Sequence, residues 1–429
     1  MRLRLALRSL LVGLIFSVPS NATDATTRPE HWIGSWATAP QASLPQNVAT
    51  FSNQTVRLIV HTSVGGSKVR IRLSNAYGNE PLLIGAAHIG RAVKGTSSIR
   101  AGSDRALTFQ GKTRVSVAPG SFVISDAVLL DTPPLSDIAI SLFFPNETHA
   151  TTSHLLAQQS SYLATAPGDF TASLSFPKAS ALSDWPFLCG VDVVADGESA
   201  TIVVFGDSTV DGDGSTVDAN RRWPDAIAER LQRDAKTRPL GLLNEGIIGN
   251  RLLQGSPQAT EFGRALGDAG LSRFTRDALD QSGVETVIVR IGINDIGFPG
   301  SLDPKAKPVS ADELIAGYQK VIAAAHSRHV RIIATTVGPF EGAKVGENYY
   351  TPEKERVRQS VNEWLRKQDL FDGMIDLDRV LRDPAHPSRL RPAYDSGDHL
   401  HPNDKGYAAS AEAVDLQLLA AAVSLRTKP

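Results

Sequence analysis

The chain has 429 residues, with 44 Lys and Arg against 45 Asp and Glu and a net charge of −1. That balance excludes the basic excess expected of a nucleic-acid binder. A composition of 41% hydrophobic and 21% charged residues fills a sizeable core and excludes wholesale disorder. The length predicts two or three domains, and 35 Gly with 25 Pro predict many turns and strands rather than a helical bundle.

Arg2, Arg4 and Arg8 precede a short apolar run, Leu10 to Val18, and Ser20-Asn21-Ala22 fits a small-x-small cleavage site. Residues 1–22 read as an export signal cut after Ala22. The apolar run is far shorter than the roughly 20 residues a membrane span requires. The expectation is a secreted or periplasmic protein with no membrane span. The single cysteine, Cys189, excludes an intrachain disulfide and a Cys-based zinc site, and reads as a small core residue.

Residues 31–196 read as an all-β domain, a sandwich or jelly-roll-like module. Thr55 to Val60 and Lys68 to Leu73 are strand candidates, the second with strict alternation, and Gly65-Gly66 predicts a hairpin between them. The Lys68, Arg70 and Arg72 face is expected to be solvated. Val115 to Val117, Phe122 to Ile124 and Ile138 to Phe144 add short strands. Asn53 and Asn146 open glycosylation sequons, which matter only in a eukaryotic secretory pathway.

From residue 197 to 425 the texture changes. Thr201 to Phe205 and Val284 to Ile291 are continuous apolar runs, as expected of strands buried on both faces. Leu240 to Leu243, Val330 to Val337 and Met374 to Leu377 are further strands. Helices are predicted over Pro224 to Arg233, Leu271 to Gln281, Ser310 to Ala325, Pro352 to Lys367 and Asp404 to Leu425, with Ser310 and Glu313 in capping-box spacing. Strands alternating with helices imply a parallel, doubly wound α/β sheet, whose ligands bind beyond the carboxyl ends of the strands.

Ser208 follows the first of these strands in Gly206-Asp207-Ser208. A serine is a poor nucleophile without a base. Near the C-terminus, Asp398 stands three positions before His401, close enough to hold the imidazole tautomer while His401 takes the Ser208 proton. No G-x-S-x-G elbow occurs in the chain, which argues against an ordinary α/β-hydrolase. Acyl transfer also needs donors aimed at a developing oxyanion. Gly249, after the Leu240 strand, and Asn294 in Gly292-Ile293-Asn294-Asp295, after the Val284 strand, are candidates.

Taken together, these blocks resemble the SGNH (GDSL) hydrolase family over roughly residues 200 to 420. Gly206-Asp207-Ser208 matches the block that carries the nucleophile, Gly249 and Asn294 the second and third blocks, and Asp398-x-x-His401 the last. The resemblance implies a flavodoxin-like three-layer α/β/α fold and hydrolysis of carboxylic esters with no metal and no cofactor. It also implies an oxyanion hole formed by the Ser208 N–H, the Gly249 N–H and the Asn294 side chain. The segment Trp32-Ile33-Gly34-Ser35-Trp36-Ala37 further resembles the opening of exported two-domain members. Short-chain, carbohydrate acetyl and lysophospholipid esters all fall within the expected substrates.

Two other readings compete. Asp398, His399 and His401 can be read as hydrolytic metal ligands. Trp32, Trp36 and Trp185 can be read as a polysaccharide-docking surface, although a tryptophan is more often core. Arg251 suits either a substrate carbonyl or a structural ion pair.

Overall fold

The computed structural model describes residues 30–257 and 260–424. The export signal read over residues 1–22 lies outside them.

The first half is a sandwich of two antiparallel sheets. One contains Trp32–Ala37, Leu188–Val194, Gly66–Ser74, Phe122–Ile124 and Val128–Thr132; the other contains Gln54–His61, Asp137–Phe144, Ala86–Arg91, Ser161–Ala164, Ala179–Leu182 and Arg105–Ala106. Alternate side chains of both sheets meet in one core: Val69, Ile71, Leu73, Val191 and Val193 from the first, Val56, Leu58, Val60, Ile138, Ile140 and Leu142 from the second.

The expected hairpin at Gly65-Gly66 does not form. Gln54–His61 pairs with Asp137–Phe144 and Ser161–Ala164, while Gly66–Ser74 pairs with Leu188–Val194 and its neighbours. The connection is an arch between the two sheets. Alternation tells which face of a strand is buried but not which strand lies beside it.

Trp36 and Trp185 are buried in edge-to-face contact, 4.9 Å between ring centroids, so they serve the core. Trp32 lies beneath the Arg70 guanidinium. Cys189 is buried, and burial pushes its thiol up to about 12, so it is inert as a nucleophile.

The second half is a five-stranded parallel sheet: β1 (Ala200–Gly206), β2 (Leu240–Gly246), β3 (Val284–Arg290), β4 (Arg331–Thr335) and β5 (Gly373–Ile375), in the order β2-β1-β3-β4-β5. This is the flavodoxin-like order, whose switch point lies between β1 and β3. The pleat sends Val203 and Phe205 to one face and Ile202 and Val204 to the other. Helices α1 (Ser208–Asp211) and α2 (Trp223–Arg233) follow β1. Next come α3 (Gly270–Phe274), α4 (Ile293–Gly297), α5 (Ala311–Ser327) and α6 (Pro352–Lys367), then α7 (Leu377–Leu381), α8 (Asp404–Glu412) and α9 (Leu416–Ser424). Phe274, Leu314, Val321 and Leu365 cover one face of the sheet; Ile227, Leu231, Leu381, Tyr407 and Leu419 cover the other. Two layers of helix therefore enclose the sheet.

The capping box opens α5: Ser310 Oγ accepts from the Glu313 N–H, and Glu313 accepts from the Ser310 N–H at 2.8 Å. Two predicted helices differ. The segment from Leu271 widens into a π-turn over Thr275–Leu279 after α3. The last helix is broken into α8 and α9 because Asp415 stops the first run and accepts from the Gln417 N–H, starting the second.

Trp32–Ala37 lies along β2, the outer strand of the parallel sheet. The Gly34 N–H donates to Ser282 O at 3.0 Å and to Thr201 Oγ1 at 2.9 Å. A Cβ on Gly241 would stand 2.2 Å from the Gly34 carbonyl oxygen, so glycine is needed for this close approach. The basic face expected to be solvated packs here too. Arg70 bonds Asp192 and Ser282, and Arg72 bonds Gln281. The bonds to Ser282 and Gln281 are contacts between the halves, which strand periodicity does not reveal.

Candidate active site

The sheet delivers its chemistry at the carboxyl ends of β1, β2 and β3. Ser208 is the first residue of α1. Asp207 caps that helix, accepting from Thr209 N at 3.0 Å and Thr209 Oγ1 at 2.8 Å. Gly206 is required just before it, since a Cβ there would stand 2.2 Å from the Arg290 carbonyl oxygen.

His401 precedes α8. Its Nε2 lies 2.8 Å from Ser208 Oγ and its Nδ1 lies 2.5 Å from Asp398 Oδ2. Asp398 Oδ1 accepts from the His401 and Leu400 N–H groups at 2.8 and 2.9 Å. A carboxylate only accepts, so Nδ1 carries the proton and Nε2 is free to take one from Ser208. Burial works to raise the Asp398 pKa, but the hydrogen bond and charge of His401 outweigh it and hold the carboxyl well below its ordinary range. Burial works to lower the His401 pKa; Asp398, Asp213 and Asp207 together outweigh it and raise it above 6.5.

Gly249 and Asn294 line the same cleft as Ser208 and His401. Among the described residues, neither the Ser208 nor the Gly249 N–H donates to a protein acceptor. Gly249 has φ 70°, and a Cβ would meet Leu266 Cδ1 at 2.9 Å. The Asn294 amide is clamped. Tyr349 O–H donates to its Oδ1 at 2.7 Å, and its Nδ2 donates to Asn250 O at 2.9 Å. One amide hydrogen is thereby committed to Asn250, which leaves the second for the cleft.

Buried Arg273 ties these strand ends together. It donates to Gly206 O at 2.8 Å, Glu245 O at 3.0 Å and Asn250 Oδ1 at 3.0 Å. Asp295 accepts from the Leu252 and Leu253 N–H groups at 2.7 and 2.9 Å, joining the loop after β3 to the loop after β2.

Of the residues singled out from sequence, Ser208, Gly249, Asn294 and His401 thus line one cleft, and Asp398 stands behind His401. Arg251 turns away into an ion pair with Asp303 at 2.8 Å. His399 pairs with Asp395 rather than with His401, so Asp398, His399 and His401 do not converge as ligands. No cluster of three His, Cys, Asp or Glu side chains suited to a metal occurs among the described residues. Sequence reasoning missed Asp213, 3.7 Å from His401 Nε2, and Tyr349. Asp213 sits between two turn glycines and Tyr349 in an irregular loop, so neither carries a periodic signal.

The family model described as "GDSL-like Lipase/Acylhydrolase family" matches residues 204–409. No curated protein matches. Solved structures similar to the chain include a GDSL-like lipase from Bacteroides thetaiotaomicron, 16% identical, covering 50-odd per cent of this chain (53%) and 91% of that one, with a TM-score of 0.35. A member of the lipolytic protein G-D-S-L family from Veillonella parvula is 16% identical, covering 50% and 96%, at a TM-score of 0.33. The acetyl xylan esterase AlAXEase is 19% identical, covering 50% and 96%, at 0.35. Residues 204–409 are a GDSL-like lipase/acylhydrolase domain, and the protein is a hydrolase acting on carboxylic esters.

Proposed function

We propose that the chain is an exported serine esterase with Ser208 as nucleophile, His401 as general base and acid, and Asp398 as the carboxylate that orients the ring. The observation that carries this reading is the unbroken Ser208–His401–Asp398 relay, 2.8 and 2.5 Å between partners. His401 Nε2 takes the Ser208 proton as Oγ attacks the ester carbonyl. The tetrahedral oxyanion is held by the Ser208 N–H, the Gly249 N–H and the Asn294 amide. His401 returns the proton to the departing alcohol, leaving an acyl-enzyme. Water, deprotonated by His401, attacks that carbonyl, and Ser208 recovers the proton as the acid leaves. Each oxyanion donor contributes roughly 10²–10³ in turnover.

The acyl side of the cleft is apolar, formed by Ile248, Leu266, Phe298, Leu302 and Val345, and the cleft has a volume of about 160 Å³ and is open to solvent. That favours a short acyl chain longer than acetyl. Each further buried CH₂ contributes about 0.8 kcal/mol, roughly four-fold in kcat/KM, until the cleft is full. The leader over residues 1–22 would export the protein, and N-terminal sequencing of the exported form would read Thr23 first.

The test is Ser208→Ala assayed on p-nitrophenyl esters from acetyl to palmitoyl and on acetylated xylan. The variant should keep its fold and lose turnover; a variant with normal activity overturns the assignment. The wild type should rise from acetyl through butyryl, and a steep fall after acetyl with release of acetate from xylan would instead indicate carbohydrate deacetylation. EDTA should leave the activity intact.

A further inference from the structure

One link from the β-sandwich reaches the cleft through two buried side chains. His154 Nδ1 lies 2.9 Å from Ala39 O, which can only accept, so Nδ1 carries a proton. His154 Nε2 lies 2.9 Å from Asp211 Oδ1, and each of these side chains is 2% exposed. Two bare acceptors at that distance, shielded from water, would repel. A second proton therefore sits between Nε2 and Oδ1 and binds the pair together. The ring cannot drift, because it stacks on Trp185 at 5.8 Å, and the His154 and Trp185 backbones exchange N–H···O bonds of 3.2 and 3.0 Å.

Asp211 is the last residue of α1, the helix that Ser208 opens. Its other oxygen, Oδ2, accepts from the Ile248 N–H at 2.9 Å. Ile248 immediately precedes Gly249. The aspartate thus joins three parts: the nucleophile's helix, the loop carrying the second N–H donor, and a histidine of the β-sandwich.

We propose that His154 and Asp211 are positioning residues through which the β-sandwich fixes the Gly249 N–H against the reacting carbonyl oxygen. The proposal rests on the serine-esterase reading above. Without Asp211 the Ile248 N–H loses its acceptor, and the Ile248–Gly249 peptide can turn its donor away from the cleft. The Gly249 N–H gains most of its bond only once the carbonyl oxygen carries negative charge. Misplacing it should therefore lower kcat and leave KM nearly unchanged.

The experiment uses the full chain. Active sites are counted with a phosphonate that reacts once with Ser208. For each variant kcat per titrated site, KM and inhibition by a trifluoromethyl ketone transition-state analogue are measured with p-nitrophenyl butyrate. Asp211→Ala and His154→Ala should lose about 10- to 100-fold in kcat per site, a fraction of what an oxyanion donor contributes. KM should stay within about three-fold, and the analogue should weaken in parallel with kcat. Asp211→Asn should recover most activity, since its amide can donate to a neutral His154 Nε2 while its oxygen accepts from Ile248. His154→Gln should recover it by donating to Asp211. If Asp211→Ala fails to fold, the His154→Ala and His154→Gln pair decides the question. A lower titratable fraction with unchanged kcat per site would show a merely structural role and overturn the proposal. Equal losses in the rescuing variants would overturn it too. Turnover by Ser208→Ala would instead remove the underlying reading, so the two failures are distinct.

Discussion

Asp213 Oδ2 lies 3.7 Å from His401 Nε2, the nitrogen that also meets Ser208 Oγ. A carboxylate there stabilises the imidazolium at the moment it forms. It also raises the pH at which the ring gives up its proton in the resting enzyme, acting with Asp398 and Asp207 against the lowering effect of burial. The base must be neutral to accept the Ser208 proton. Activity should accordingly fall as pH drops through a value above 6.5.

Asp213→Asn removes one of the charges that raise this pKa. The acid limb of kcat/KM should move to lower pH, while the plateau falls because the imidazolium loses a partner in the transition state. The profile is measured from pH 5 to 9 on p-nitrophenyl butyrate. A limb that stays in place, or moves upward, would show that Asp213 carries no charge at His401.

Tyr349→Phe tests the clamp on Asn294. The Tyr349 O–H is buried and holds Asn294 Oδ1 at 2.7 Å; burial, followed by the charges of Asp207, Asp295 and Asp398, pushes the phenol well above its ordinary range, so it remains a donor. Without the hydroxyl the amide can rotate, and its second hydrogen no longer stays on the cleft. Turnover should fall about ten-fold, a fraction of what deleting the donor itself does, with KM little changed. Wild-type kcat in this variant would show that Asn250 alone holds the amide.

Gly249→Ala tests the second donor. At φ 70° an alanine is strained, and its Cβ would press on Leu266 at 2.9 Å. Relief by rotating the peptide should cost about 10²-fold in kcat. A crystal structure showing the N–H displaced, with full activity, would remove Gly249 from the oxyanion hole.

The sequence carried the second half well because its strands are buried on both faces. Thr201 to Phe205 and Val284 to Ile291 read as unbroken apolar runs, and each is followed by a residue whose type names its chemistry. The spacing of Asp398 and His401 is legible for a different reason: the contact is local, three residues apart. What escaped was pairing across long separations. Gln54–His61 and Gly66–Ser74 look like hairpin partners but face each other across a core. Arg70 and Arg72 look solvated because a strand's polar face does not reveal that the turn before β3 packs against it. Asp211 bonds His154 and Ile248, and Tyr349 bonds Asn294, across separations that no periodicity announces.

Glu245 offers a stability test independent of activity. It is buried beside Asp277, and its Oε1 accepts from Gln281 at 3.0 Å while Oε2 has no partner among the described residues. Burial first, then the Asp277 charge, push its pKa well above 4.5 despite Arg273 and Arg72. The native state therefore keeps a proton that the unfolded chain releases near 4.5, and this contribution to stability is lost as pH rises above that value. Glu245→Gln keeps a neutral group of the same shape with no proton to lose. It should melt a few degrees above the wild type at pH 8, and the gap should close towards pH 4. Thermal melts across that range decide the point. A wild type that gains on the variant with rising pH would mean Glu245 is a carboxylate sharing Arg273 with Asp277.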